Sequence, residues 1–507
     1  MSATGLPLTQ SKTDRQTVPK TALILGEQLG ADNPALEGTD RVLFVESTGA
    51  MGNRRYHRSR LHIVMSAMRH RAEELRVGGR EVVEIRGVGS FAKALAGQGD
   101  LVCMEPENRD WAERLESFGV ELVPSNSFLA SPADFAEWAE GKKRVTMEHF
   151  YRGMRRTYGL LLDEDGGPEG GKWNLDAENR KPPAKGLSAP RPWLPVEDSI
   201  DEQVRADLDG LIASGLNVWG PDRPREFAVT AAEADAVLED FIANRLPEFG
   251  PWQDAMVEGE RTLFHARLSV PLNLGLLDPL ELVQRVEGEY RAGRVPLQSA
   301  EGFIRQVIGW REFVRCMYRF RFDSWSEDNG LGAKLPLPAV FWGEGETDWN
   351  CLQETINTVE ETGYAHHIER LMVLGNAMLL LGVEPQEALD WFRASFVDAA
   401  DWVMAPNVIG MGIHADGGVM MTKPYAAGGN YMSKMSQHCK GCRYDPKQRT
   451  GDDACPLTAL YWDFLARNRE KLKDNHRMAL AFKNLERIDP IELAEVRRVA
   501  QDSLNNL

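Results

Sequence analysis

Residues 21–47 read TALILGEQLGADNPALEGTDRVLFVES. Two short apolar runs rich in aliphatic and β-branched side chains, TALILG and RVLFVES, bracket a polar middle that carries glycine and proline. A run that stays apolar on both faces for only a few residues is what a strand covered on both sides of a parallel sheet requires. The pattern recurs at EVVEIRG (81–87), DLVCME (100–105) and VELVPS (120–125), with longer polar or helix-period segments between. The clearest of these runs from about His57 to Arg76, where Ile63, Met65, Met68, Ala72 and Leu75 make an apolar stripe. Five such runs predict an α/β domain over residues 21–140, a doubly wound parallel five-stranded sheet. Ligands of such sheets sit beyond the strands' carboxyl ends, where strand order reverses. That places a site at Gly26, Glu27, Gln28 and Glu46 without saying what fills it. GVGSFA (87–92) matches a dinucleotide fingerprint formally, but it follows the third strand and closes no clear βαβ unit, so it carries little weight.

Outward from this sheet, residues 1–20 have no apolar h-region and read as a disordered lead-in, with neither export nor a signal anchor expected. Residues 141–250 turn Gly-, Pro- and Asp-rich, most densely in LLDEDGGPEGGKWNLDAENRKPPAKG, and then give the acidic helical stretch TAAEADAVLEDFIANRL: a connector with helices of its own. Beyond 250, strand-like runs almost vanish and apolar residues recur at three and four; Phe303, Val307, Trp310, Val314 and Met317 share one face. Residues 251–507 are therefore a large all-α domain. The whole chain, 507 residues with 59 basic and 76 acidic side chains and a net charge of −17, is too long for a single small binding module and too acidic for indiscriminate DNA binding. It has no run of about 18 uncharged apolar residues, so no membrane span is expected.

Six cysteines in 507 residues are too few for a disulfide framework, which points to a reducing, cytoplasmic setting. Cys439, Cys442 and Cys455 crowd into seventeen residues, and Cys351 could supply a fourth thiolate from a distant helix. Four thiolates suit tetrahedral zinc or an iron–sulfur cluster, and spacing alone does not separate them. Tyr461, Trp462 and Phe464 nearby would give a redox centre a dry shell. In YAHHIERLMVLGN (364–376), His366 and Arg370 fall on one helical face with His367 turned about 100° aside. Two imidazoles and a guanidinium could line one pocket there, or the pair could be hydrogen-bonded histidines of a polar core; for a metal the spacing is poor. Arg311, Arg315 and Arg319, four apart, form either a solvated face or a local basic ridge. With Lys423, Tyr425, Tyr431, Lys434, His438, Lys440, Arg443 and Lys447 they could make a phosphate-binding surface on an otherwise repulsive chain. Trp310, Trp342, Trp349, Trp391, Trp402 and Trp462 all lie in the helical half, chiefly as core, with electron relay as a second use if a redox cofactor is present.

Taken together, GKWNLDAENRKP (171–182), LFHARLSVPLNLGLLDP (263–279), FIRQVIGWREFVR (303–315), GYAHHIERLMVLGN (363–376), FVDAADWVMAPNVIGM (396–411), ADGG (415–418), TKPYAAGGNYMSKMSQHCKGCRYD (422–445) and CPLTALYWDFL (455–465) strongly resemble the photolyase/cryptochrome superfamily. More narrowly they are similar to its iron–sulfur bacterial branch, which includes the prokaryotic (6-4) photolyases. The likeness runs from about residue 21 to 485.

The resemblance implies light-driven repair of pyrimidine (6-4) pyrimidone photoproducts in UV-damaged DNA by electron transfer from excited, reduced FAD to a flipped-out lesion. A signalling cryptochrome without turnover is the alternative. It implies a U-shaped FAD near Ser269 and Asn273, with Arg311 and Arg370 as cationic partners and Asn376, Asp398, Asp401 and Asn407 lining the rest. His366 and His367 would transfer protons. Tyr425 and Tyr431 would contact the lesion with Gln306 nearby, and the arginine ridge and Lys423 would hold the DNA backbone. Trp391 and Trp342 would relay electrons. A [4Fe-4S] cluster would sit on Cys351, Cys439, Cys442 and Cys455. A 6,7-dimethyl-8-ribityllumazine antenna is implied at Gly26, Gln28 and Glu46, and a monomer is expected. Three positions depart from the family pattern: Phe392 stands where a tyrosine is expected beside Trp391, Met404 stands where an acidic side chain is expected near the flavin, and STGAMGNRRYHRS (47–59) has a single histidine in place of a His-His-Lys run.

Overall fold

The computed structural model describes residues 20–505 and residue 507; of the lead-in expected at 1–20, residues 1–19 lie outside the described residues. Strands β1 (Thr21–Ile24), β2 (Arg41–Ser47), β3 (Glu81–Val88), β4 (Leu101–Met104) and β5 (Glu121–Val123) form one sheet in which every neighbouring pair is parallel. Their order is β3-β2-β1-β4-β5, so the strand order reverses beside β1, between β1 and β4. Side chains alternate across this sheet as the two-residue period demands. Ala22, Ile24, Val42 and Phe44 meet Ile63, Met68, Ala72 and Leu75 of the helix Arg58–Val77 on one face. Leu23, Leu43 and Cys103 meet Leu95, Leu115 and Val120 on the other. A sheet covered on both faces explains why β1 and β4 are wholly buried and read as unbroken apolar runs.

The connector contributes the helices Met147–Tyr158, Ser199–Ala213 and Ala231–Asn244. Ser199–Ala213 packs on Arg58–Val77, and Met147–Tyr158 packs on the stretch Arg305–Arg311. Tyr56–His57 pairs in parallel with Val218–Trp219, a two-residue ladder that ties the α/β domain to the connector.

Nearly all of the remainder is helical, and three of its helices contain a wider π-helical stretch: Arg305–Arg311, Arg370–Gly375 and Pro406–Gly412. Such stretches are rare and concentrate at functional sites, because the wider turn frees backbone groups and re-aims side chains. Two of them touch where glycine permits it. A Cβ on Gly375 would lie 3.5 Å from the Gly412 Cα and 3.1 Å from the Arg370 carbonyl oxygen.

The arginine series on Glu312–Phe320 and the turn before it is neither solvated nor free for phosphate, which corrects the basic-ridge expectation. Arg315 chelates Glu107 through Nε at 2.6 Å and Nη2 at 3.3 Å, Arg319 meets Glu105 at 2.6 Å, and Arg311 donates to the Ser127 carbonyl at 3.1 Å. These arginines stitch the helical domain to the loops that follow β4 and β5. A run of like charges on one helix face is compatible with burial when another element supplies the counter-charges, and here that element is far away in sequence.

Candidate functional site

Asp398 is the hub of the first cluster. Its carboxylate accepts from Ser269 Oγ at 2.7 Å and takes both terminal nitrogens of Arg370, at 2.8 and 3.1 Å, while its backbone carbonyl accepts from Asn273 Nδ2 at 2.9 Å. The Arg370 guanidinium also lies 4.1 Å over Phe396 and 5.0 Å over Tyr364. The structure thus gathers Ser269, Asn273, Arg370 and Asp398 from three separate segments. Arg311 sits apart, 3.9 Å over Phe128 at the domain seam. Asp401 pairs with Arg393 at 2.7 Å and accepts from Asn108, and Asn407 donates to Val403 of its own helix. Asn376 pins the chain before Gly428, exchanging two 2.9 Å hydrogen bonds with the Ala427 backbone.

Several buried donors beside this cluster have no protein partner: Arg245 Nε and Nη1, and Arg267 Nε. Burial holds both guanidinium groups below the usual arginine range. Buried cationic donors without acceptors are costly unless something supplies acceptors. A phosphate-bearing cofactor with many acceptor atoms fits this donor set, so FAD is compatible with the residues present. Neither Arg245 nor Arg267 stands out in sequence, since each is a lone arginine in an otherwise ordinary segment.

The second cluster is built of imidazoles. His366 is 1% exposed, and its ring stacks on His265, with centroids 4.4 Å apart and planes 12° apart. His265 also meets His367 edge-on at 5.3 Å. His366 Nε2 lies 3.4 Å from Glu369 Oε1, whereas the half-exposed His367 reaches Asp254 Oδ1 at 3.5 Å. Burial drives His265 and His366 well below the usual histidine range, and nearby cations push the same way. Burial likewise raises the Glu369 carboxyl to about 8. The sequence pointed to His366 and His367; His265, a hundred residues earlier, carried no local signal.

Asp254 connects this cluster to the tyrosines. Its charge acts on both Tyr425 and Tyr431, as does that of Arg180, although burial is the main reason both phenols are raised, Tyr431 beyond the ordinary range. Arg180 Nε lies 3.8 Å from Asp254 Oδ2, so the connector reaches this cluster. Gln306 donates to the Gly302 carbonyl of its own helix at 2.8 Å. In the nearby basic stretch Lys423, Lys434, Lys440 and Lys447 are exposed. His438 is buried and does not belong to that surface.

The four cysteines converge. The charges of Cys455, Cys439 and Cys442 all act on Cys351, whose thiol burial pushes far up. No three of these sulfurs lie within 4.8 Å of one another. A zinc ion at about 2.3 Å from each sulfur would hold them all about 3.8 Å apart. The wider spacing suits a larger inorganic core.

At the strand ends, Glu46 makes a bidentate ion pair with Arg69 at 2.7 and 2.8 Å. Gln28 Nε2 donates to the Met104 carbonyl at 2.6 Å, and a Cβ on Gly26 would lie 2.8 Å from Val64 Cγ1. Gln28 lines a narrow cleft with Glu27, Glu107, Asn273 and Arg311, between the sheet ends and the helical domain. Burial, reinforced by Glu107, raises Glu27 to about 7.

Trp391 is buried and donates Nε1–H to the Phe341 carbonyl at 2.8 Å. A third ring spans the distance from it to Trp342. Trp219 of the connector lies 6.5 Å from Trp391 and 5.6 Å from Trp342, and Trp342 is half-buried beneath Arg55. Phe392 turns aside and stacks on Phe396 at 5.4 Å.

Comparison with known proteins gives a consistent picture. Residues 22–214 match the family model described as deoxyribodipyrimidine photo-lyase-related protein. The (6-4) photolyase of Agrobacterium fabrum is 40% identical over 507 aligned residues, covering 96% of this chain and 99% of that protein. Among solved structures, a bacterial class III photolyase from Agrobacterium tumefaciens aligns with a TM-score of 0.55 at 16% identity, over 98% of this chain and 99% of that one. The cryptochrome of Synechocystis sp. PCC6803 aligns at 0.51 and 12% identity, over 96% and 99%. At these identities the two structures speak for the fold.

Proposed function

The chain belongs to the photolyase/cryptochrome superfamily, in its (6-4) photolyase family, and from that premise we propose that it is a light-driven enzyme that reverses pyrimidine (6-4) pyrimidone photoproducts in UV-damaged DNA. The observation that carries the reading is the arrangement around Asp254: half-exposed His367 reaches its carboxylate, the same charge acts on Tyr425 and Tyr431, and buried His366 stands just before, and Arg370 further along, the helix that His367 begins.

FAD, when bound and reduced, would supply the photoexcited electron. Arg370, Ser269 and Asn273 would hold it, with Asp398 fixing Arg370 and the free donors of Arg245 and Arg267 supplying further positive charge. Asn376 positions the segment that carries Tyr425. A lesion swung out of the duplex needs a stacking and hydrogen-bonding wall, which Tyr425 and Tyr431 provide. Half-exposed His367 and buried His366 are placed to hold and move the proton that accompanies transfer of the oxygen substituent between the two pyrimidines.

Trp342, Trp219 and Trp391 form the inward path for an electron when the cofactor must be re-reduced; Phe392 is far harder to oxidise and lies off that path. The four cysteines would hold a [4Fe-4S] cluster, which their wide spacing favours over zinc. A lumazine antenna would lie at the strand-end cleft, where its reach to Gln28 is direct and its reach to Glu46 requires Arg69 to yield.

The test is repair itself. Reduced protein, blue light and an oligonucleotide carrying one (6-4) product should restore intact pyrimidines, and an identical dark sample should not. Equal dark and lit samples would exclude repair and leave the receptor reading.

A further inference from the structure

The histidine site contains a residue with no assigned role. His265 is 7% exposed, and its Nε2 has no hydrogen-bond partner. A phenylalanine would pack as well beside Phe249, 6.3 Å away, without leaving a buried polar atom unsatisfied. The backbone around it is also costly. Leu263 at φ 41° and Arg267 at φ 58° both adopt the left-handed region, which non-glycine residues seldom enter. Arg267 holds that loop closed, donating to the Trp193 and Glu226 carbonyls at 3.2 and 2.6 Å. An orphaned nitrogen on His265, held between two strained residues, suggests a task other than packing.

We propose that His265 is a positioning residue of the histidine site: stacked on His366 and edge-on to His367, it holds the His366 ring with Nε2 turned to Glu369, so that Glu369 supplies the proton His366 hands on. The inference rests on the repair reading above. Near neutral pH Glu369 is largely the neutral acid, and both buried imidazoles are uncharged. The groups facing His366 are His265, His367, Arg370, His438 and Glu369; those facing Glu369 are His366 and Arg370; those facing His265 are His366, His367, Arg370 and Arg245. Only Glu369 among them can give up a proton to His366 without first acquiring one. Glu369 Oε1 lies 3.4 Å from Nε2, which has no hydrogen-bond partner at rest; a small approach of the Glu369 O–H would let it donate to Nε2 and fix His366 as the Nδ1–H tautomer. In transfer, the Glu369 O–H bond breaks as Nε2–H forms, and the Nδ1–H proton passes to the lesion oxygen. The proton returns by the same route when the product is released, and Glu369 is restored.

The experiment follows the ¹⁵N signals of the His366 ring in dark holoenzyme and, separately, repair per absorbed photon from pH 6 to 9. Wild-type protein should show one neutral tautomer. His265→Ala should give averaged tautomer signals and about ten- to a hundredfold less repair, with binding of damaged DNA unchanged. His265→Phe, which keeps the stacked ring, should retain the single tautomer and stay within about threefold of wild type. Glu369→Gln, which still donates an N–H but cannot release it, should keep the tautomer, lower repair and abolish its decline near pH 8. Wild-type ring signals in His265→Ala would overturn the proposal. So would His265→Phe failing as badly as His265→Ala, because His265 would then be carrying the proton itself. If wild-type enzyme repairs nothing, the functional reading falls, and the ring signals alone still decide whether His265 positions His366.

Discussion

The strand-end site and the helical site differ in how the polar groups that form them are paired. At the sheet ends, Glu46 is chelated by Arg69 and Gln28 is bonded to the Met104 carbonyl, so these two side chains are occupied by neighbours within the domain, while His62 Nε2 and Ser66 Oγ on the adjoining helix have no hydrogen-bond partner. At the helical site, both His366 nitrogens, His265 Nε2 and Glu369 Oε2 are buried without partners, as are two nitrogens of Arg245 from the connector. An unpaired buried polar group costs about 1–3 kcal/mol. Several kept together offer a ligand or a reaction groups to use. The helical site therefore leaves more unpaired groups for a bound cofactor or a proton to meet than Glu46 and Gln28 do.

This contrast is most easily broken at proton transfer. His366→Asn should lower repair by about 10²–10⁴-fold, measured as thymine recovered per photon, while flavin content stays unchanged. Replacing Arg370 by alanine should destabilise the domain by about 3–5 kcal/mol, because Asp398 would be left charged and buried. Denaturant unfolding would register the loss, and the purified variant should retain little flavin. Glu46→Gln makes the complementary case. It should leave repair under direct flavin excitation unchanged while abolishing any lumazine band, and an effect on repair as large as that of Arg370→Ala would erase the distinction between the domains.

The relay sharpens the contrast further. Trp219→Phe should slow photoreduction of oxidised flavin about tenfold or more, read by transient absorption, with repair by pre-reduced enzyme unaltered. Phe392→Tyr should restore little of that loss if the path runs through Trp219.

The smallest effect is on acid stability. Burial holds His57 and His414 at about 4, against an unfolded value of about 6.5. Between those values the unfolded chain binds the additional protons, so stability should fall as pH drops from about 6.5 to about 4. Urea midpoints across that range would show it, and His57→Gln should flatten the slope.

Sequence made the sheet legible because β1 and β4 are buried on both faces and cannot alternate. It made the four cysteines legible because three of them are close in the chain. It also identified Arg370, Ser269, Asn273 and Asp398 through family resemblance, and the structure brings those four together around one carboxylate. The arginine series was misleading for a physical reason: Arg315 and Arg319 are neutralised by Glu107 and Glu105, some two hundred residues away, and no local pattern records such a partner. His265, Trp219, Arg180 and Arg245 were missed for the same reason. Each acquires its meaning from a ring or charge delivered by another segment, with no periodicity of its own.

The most direct test of the account is the absorption spectrum of the purified chain, followed by cofactor release on denaturation. About one FAD per chain is expected, with broad iron–sulfur absorption beneath the flavin bands and about four irons and four acid-labile sulfides per chain. A fully folded protein without isoalloxazine absorption would contradict it, since the unpaired donors of the helical domain would then have no acceptor to meet.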